Sequence, residues 1–285
     1  MKNILLYLLI LTCLTGCSTK ERAAQQFKTG NWRGVLTIQG KSMPFTFEVT
    51  KKDTEDYDIY LINADERLLL DEVTVNEDSV IITLHIFDAI LKAALHPDSL
   101  AGFFIKNNEE NYRIPFKAVH GQTHRFTTAG KATEDFSGKY KVTLHNGSDT
   151  TEAIGIFKQN NSKATGTFLT ATGDYRYLEG NVSHDTLYLS TFDGNHAYLF
   201  TAVKRNDTLH GNFYSGIKWN QAWTGFKDAQ ASLADAESLT FLKPGYKTIA
   251  FSFPDTDGRL ISPTDDKYKN KVVILQLMGT WCPNC

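Results

Sequence analysis

From residue 30 to residue 226 apolar side chains recur in short alternating runs separated by clusters of Gly, Asn and Asp. The runs are "WRGVLTI", "FTFEV", "YDIYLI", "SVIITLHI", "YKVTLH", "EAIGIFKQ", "TLYLSTF", "AYLFTAV" and "TLHGNFY". A period of two with Val, Ile, Thr, Tyr and Phe at the apolar positions predicts half-buried strands, and turns such as "HNGSDT" and "FDGN" predict antiparallel connections. Many short strands at this spacing predict barrels or sandwiches.

The pattern also repeats. Gly30 to Trp32, "GNW", matches Gly138 to Tyr140, "GKY". "EVTVNEDSVIITLHIFD", Glu72 to Asp88, runs against "EGNVSHDTLYLSTFD", Glu179 to Asp193, with Val75 opposite Val182 and Asp78 opposite Asp185. "SLAGFF", Ser99 to Phe104, corresponds to "TLHGNF", Thr208 to Phe213. A duplication at an offset of about 107 residues follows, giving two β units at 30–126 and 136–227.

After residue 227 the pattern changes. "DAQASLADAESLTFLKPG", 228–245, is rich in Ala and acids, which predicts a helical linker ended by Pro-Gly, its acids forming a solvated face. "TIAFSFPDTDGRLIS" then suggests a strand and an Asp-Gly hairpin. "KVVILQLMG", Lys271 to Gly279, has an unbroken apolar run that predicts a strand buried on both faces.

Composition adds little to this picture. The chain of 285 residues is 41% hydrophobic and 22% charged with a net charge of -2, ordinary for a globular protein and without a basic footprint for nucleic acid. The N-terminus adds more. Lys2 precedes an apolar run from Ile4 to Leu14 that is too short to span a bilayer but suits a secretory signal. It is followed by "LTGC", Leu14 to Cys17, which resembles the lipobox of bacterial lipoproteins. That resemblance implies cleavage of a signal peptide at 1–16, a diacylglycerol thioether on Cys17, a polar tether over 17–29, and an extracytoplasmic protein lipid-anchored in the cell envelope. Ser18 favours the outer membrane. An ordinary secretory signal is the alternative.

With Cys13 removed and Cys17 lipidated, Cys282 and Cys285 remain, a pair at redox spacing in "GTWCPNC". A zinc site would need a second pair of ligands, and none follows. If a helix begins at the first cysteine, its N-terminal dipole stabilises a Cys282 thiolate, which attacks a disulfide, and Cys285 resolves the mixed disulfide. Pro283 suits the first turn and Trp281 covers the pair.

The stretch Tyr246 to Cys285 resembles the membrane-anchored thioredoxin-like family of TlpA and ResA type, although Gln276 to Gly279, "QLMG", departs from the usual sequence. The resemblance implies the beginning of a thioredoxin-like α/β domain at 246–285. It further implies an extracytoplasmic thiol-disulfide oxidoreductase with Cys282 and Cys285 as catalytic pair and Trp281 and Pro283 in support. Its partners are protein disulfide substrates and a membrane or periplasmic thiol donor, with no cofactor or metal. The active-site helix and cis-proline loop would lie beyond Cys285, so this chain is expected to be an inactive part of a longer protein. The alternative is a ligand- or partner-binding β-barrel lipoprotein with a non-functional redox remnant, and a weaker one is a peroxiredoxin-like peroxidase.

Three further features stand outside that reading. His120 and His124 in "HGQTH" are candidate metal ligands at i, i+4, set against a plain polar loop. "GNWRG" is similar to the G-x-W opening of lipocalin-like barrels, which bind apolar ligands, set against simple packing at a barrel base. "TGDYRYLEG", Thr172 to Gly180, is a candidate recognition strand, set against a half-exposed strand with amphipathic tyrosines.

Overall fold

A computed structural model describes residues 26–52, 56–84, 87–127, 130–235, 238, 241–276 and 279. Within them the chain is mainly β and forms two barrel-like antiparallel sheets of nine strands each. The first contains β1 (Gly30–Ile38), β2 (Lys41–Lys51), β3 (Tyr57–Asn63), β4 (Glu66–Leu70), β5 (Val73–Asn76), β6 (Ser79–Leu84), β7 (Ala89–His96), β8 (Ser99–Lys106) and β9 (Arg113–His120). The second contains β10 (Gly138–Asn146), β11 (Asp149–Asn160), β12 (Lys163–Thr170), β13 (Gly173–Asp174), β14 (Leu178–Ser183), β15 (Thr186–Phe192), β16 (Ala197–Arg205), β17 (Thr208–Ser215) and β18 (Trp219–Lys227).

The strand order of the second sheet is that of the first shifted by nine, so the duplication seen in the sequence is repeated in the topology. In both, the opening strand pairs with the second and with the last, β1 with β2 and β9, β10 with β11 and β18. The two differ at one seam. In the second barrel β14 pairs directly with β12 and closes the ring, leaving β13 as a two-residue flap on β12. In the first barrel β4 pairs only with β3 and β5 only with β6, so the ring stays open between β4 and β5.

Both interiors are filled by side chains. Gly30 and Gly138 have φ of +101° and +128°, a backbone state that a side chain would strain, and this bend turns Trp32 and Tyr140 inward at the third position of their strands. Trp32 stacks on Phe47 at 6.0 Å and donates its indole N–H to Lys28 O at 2.9 Å. Tyr140 packs on Phe157 at 5.6 Å. Phe45, Phe104 and Phe116 fill the first barrel, and Phe168, Phe200, Phe213 and Trp223 the second. The G-x-W opening therefore packs a barrel base, and large aromatics occupy the space that a lipocalin-like barrel keeps for a ligand.

The barrels are fused face to face through β2 and β3 of the first and β15 and β16 of the second. Phe192 of β15 enters the first core, with ring centroids 4.7 Å from Phe45 and 5.1 Å from Phe104. Beside it the buried Asn63 side chain imitates a strand backbone, donating to Phe192 O at 2.9 Å and accepting from Phe192 N–H at 3.4 Å. Arg125, in the loop that joins the barrels, donates to Ile62 O, to Thr46 Oγ1 at 3.3 Å and to Ser190 O at 3.2 Å, and pairs with Glu179 at 3.2 Å. Burial lowers its guanidinium to about 10, partly offset by Glu179, so it stays charged at neutral pH.

The expected thioredoxin-like start is corrected here. Its predicted hairpin survives only as the two-residue strands β19 (Phe253–Pro254) and β20 (Leu260–Ile261), which pair with each other. The predicted buried strand is absent: 271–276 is irregular, and Val272 and Ile274 are 95% and 90% exposed. An apolar run becomes a doubly buried strand only with strands on both sides and layers above and below, and none flanks this one among the described residues. In the stretch expected to be a helical linker, residues 228–235 and 241–245 run as turns and irregular chain, while Ser238 between them is helical.

Candidate functional site at the seam between the barrels

The open seam of the first barrel faces the flap of the second, and the segment 175–177 lies between them. Arg176 sits at its centre with φ of +59°, an uncommon state for a side-chain-bearing residue that costs of order 1 kcal/mol or more unless surroundings enforce it. Arg176 N–H donates to Asp174 Oδ1 at 2.7 Å, and Tyr175 N–H to Phe168 O at 2.9 Å, which fix the turn. The guanidinium then spans the seam, paired with Glu66 of β4 at 2.6 Å and with Asp193 at 3.2 Å.

Asp193 follows β15 and is almost fully buried. Its Oδ1 accepts from the backbone N–H of Asn195 at 2.9 Å and of His196 at 2.6 Å, and its Oδ2 accepts from His196 Nδ1 at 2.8 Å. Burial alone would raise the carboxyl, but the bonds from His196 and the two backbone N–H groups outweigh it and hold Asp193 below the usual carboxylate range. Asn195 Nδ2 lies 3.2 Å from His196 Nε2, so the tautomer with its proton on Nδ1 satisfies both neighbours.

Three cavities meet at Arg176. One, of about 290 Å³, opens where the first ring fails to close and is lined by Leu68, Leu70, Leu84 and Phe87, with Arg176 and Asp193. A second, of about 410 Å³, lies on the other side of the guanidinium among Tyr175, Tyr198, His196, Phe87 and the threonines at 170 and 172. A third, of about 300 Å³, runs under Tyr177 between Ala64 and Lys158. The aromatic walls are mutually braced: Tyr175 and Tyr198 meet edge to face at 5.6 Å, and His196 lies against Tyr198 at 5.0 Å. Burial, then the nearby Asp193, raises the Tyr198 phenol, so its hydroxyl remains a donor. Rigid donors, acceptors and ring faces around a concave opening are equipment for recognition.

The sequence does not single out Glu66, Asp193 and His196. It does offer "TGDYRYLEG" as a candidate recognition strand, and this segment lines all three cavities. Its centre is a strained turn between strands, where a continuous strand was expected. Phe87 and Asp193 lie at the ends of the two aligned stretches, Glu72 to Asp88 and Glu179 to Asp193, that the sequence offers only as a repeat. Cys17, Trp281, Cys282, Pro283 and Cys285 lie outside the described residues. His120 is engaged elsewhere, with Nε2 2.9 Å from Thr29 O and its ring edge-on to Trp32, while His124 is exposed.

No protein-family model matches the chain, and no curated protein matches it in sequence. The expected membership of the TlpA and ResA type family is corrected by the structure, in which the stretch that was to begin its domain forms only the two-residue hairpin of β19 and β20, with Val272 and Ile274 exposed, among the described residues. Among solved structures the chain is similar to a protein described as a "putative outer membrane protein" from Bacteroides fragilis NCTC 9343, at 11% identity and a TM-score of 0.24, over 70% of this chain and 97% of that one. It is also similar to a DUF3598-family protein of unknown function from Nostoc punctiforme PCC 73102, at 8% identity and a TM-score of 0.25, over 70% of this chain and 96% of that one. The fold described above rests on its own strand pairing, and the site on its own residues.

Proposed function

We propose that the chain is a ligand-binding double-barrel protein of the bacterial cell envelope, anchored by lipid on Cys17, with the cleft at Arg176 as its binding site. The observation that carries the binding reading is the convergence of three cavities on one charge-clamped, left-handed arginine at the seam where the first barrel stays open. Strain held in place by a network of ion pairs is a cost, and such costs concentrate where a rigid site is needed. Barrel interiors packed with phenylalanine direct binding to this outer cleft. The envelope reading rests on the signal-like run Ile4 to Leu14 and on "LTGC".

A thermal-shift screen of small polar and amphiphilic compounds tests the binding reading, run on the wild type and on Thr172→Trp, which fills the exposed rim of the cleft. A ligand that binds only the folded state raises its stability by about 2.7 kcal/mol at 100 times its Kd. The expected result is a compound class that stabilises the wild type and leaves the variant unmoved. Equal shifts in both proteins would remove the Thr172 side of the cleft as the site, and no shift in either would remove the cleft. Retention in the membrane fraction by the wild type and release on Cys17→Ala is the expected signature of the anchor.

A further inference from the structure

Resting on that cleft reading, we infer that the cavity between Tyr175, Tyr198 and His196 binds an uncharged, hydroxyl-rich ring compound, a neutral oligosaccharide. The charges around Arg176 bear on the ligand class. Arg176 is already paired with both Glu66 and Asp193, so an anion meets a cation whose charge is compensated, and a carboxylate or phosphate would also meet Asp193 at close range. A cation meets the arginine itself. With Asp193, Glu66 and Asp174 around one arginine the site leans negative, which repels anions. Asp193 and Glu66 are already engaged by the guanidinium and Asp174 by the Arg176 N–H, so what is left for a ligand is mainly hydrogen-bonding groups beside ring faces, a set that suits a neutral polar ligand.

Shape and surface point the same way. A pyranose presents apolar C–H faces and a polar rim, and needs flat aromatic surface beside directional donors and acceptors. Here the tyrosine rings are braced edge to face, and the Tyr198 hydroxyl, the threonines at 170 and 172 and the Asp174 carboxylate surround them. Because Arg176, Asp193 and His196 hold one another in fixed geometry, little side-chain freedom remains to be lost when a ligand arrives, which favours weakly binding polar ligands. The opening of about 410 Å³ falls within the ordinary range for small-molecule sites. The adjoining leucine-lined cavity shares Arg176 and Asp193 but has no tyrosine in its wall, so the surface of tyrosine rings beside hydroxyls belongs to the cavity at Tyr175 and Tyr198 and not to it.

Isothermal titration of the full-length chain, in a detergent without a sugar headgroup, tests the inference with cellotriose, maltotriose, xylotriose and chitotriose. Sodium laurate and inorganic phosphate serve as amphiphile and anion. The expected result is saturable binding of at least one oligosaccharide, weakened about tenfold or more by Thr172→Trp. The same binding should be kept by Ala171→Trp, an exposed neighbour that does not line the cavity, and both variants should retain the wild-type melting temperature. Binding of laurate or phosphate blocked by Thr172→Trp, with no oligosaccharide binding at millimolar concentration, overturns the ligand class and leaves the cleft reading standing. Oligosaccharide binding untouched by Thr172→Trp overturns the location. Silence from every probe overturns both.

Discussion

Arg125 holds the two barrels together with a single side chain. It reaches carbonyls of both sheets and the Glu179 carboxylate from a loop that belongs to neither, and Asn63 beside it pairs with the backbone of Phe192. Removing one partner of a buried ion pair leaves the other desolvated and alone, which typically costs about 3–5 kcal/mol. Arg125→Met is accordingly expected to lower the denaturation midpoint by that order, and Arg125→Met with Glu179→Leu to recover part of the loss. A single variant as stable as the wild type would show that apolar contacts alone hold the barrels together. Acid should act at the same places. Burial would raise both Asp193 and Glu179, yet His196 and backbone N–H groups at the first, and Arg125, Ala64 N–H and Lys163 at the second, hold both below the usual range. A carboxylate with a depressed folded pKa contributes fully above its unfolded value of about 4 and loses that contribution as pH falls through the folded one. Stability measured in urea should therefore fall steeply below about pH 4, and less steeply in Asp193→Asn. Identical acid slopes would exclude Asp193 from this role.

At the level of strands, what could be foreseen depended on side-chain type. β1, β2, β3 and β15 carry β-branched and aromatic residues in alternation and announce themselves. β7, "AILKAALH", has three alanines among its eight residues and only one β-branched residue, and β9, "RIPFKAVH", contains Pro115, a residue that argues against an inner strand because it lacks an N–H. Both are made strands by their neighbours, β7 by β6 and β8 and β9 by β8 and β1, since pairing and burial outweigh local propensity. The repeat "SLAGFF" and "TLHGNF" was visible, and the structure supplies its reason. A Cβ at Gly102 would lie 2.0 Å from Lys92 O, and one at Gly211 would lie 2.2 Å from the Trp223 ring. Gly102→Ala is expected to cost about 1–3 kcal/mol by forcing strands apart, read as a shift in denaturant midpoint. A neutral outcome would mean that the β7–β8 ladder yields more easily than its close packing implies. The site was less legible than the strands, because Glu66, Arg176 and Asp193 lie on separate stretches brought together only by the docking of one barrel on the other. The run "KVVILQLMG" misled for the converse reason: hydrophobicity shows that a segment needs cover without showing that cover is present.

Taken whole, the molecule is a duplicated ring in which one copy closes and the other does not, and the residues that depart from simple packing gather where the copies differ. Beyond the rings, residues 241–276 expose Phe241, Tyr246, Phe253, Leu260, Val272 and Ile274 to solvent. That apolar surface favours association with other apolar surfaces at high concentration.

The open seam also sets an order of events in time. In the second ring every principal strand has a partner on each side, so no ladder can part without breaking two rows of bonds. In the first, β4 and β5 each have one partner, and local opening begins where the fewest bonds and contacts resist it. Backbone amides of β4 and β5 are expected to take up deuterium ahead of those of β12 and β14, and ligand held in the cleft to slow β4 in particular through Arg176 and Glu66. Hydrogen exchange followed strand by strand would then show the first barrel loosening from the lips of the proposed cleft while the second stays shut, so that the place proposed for ligand entry is also the place where unfolding starts.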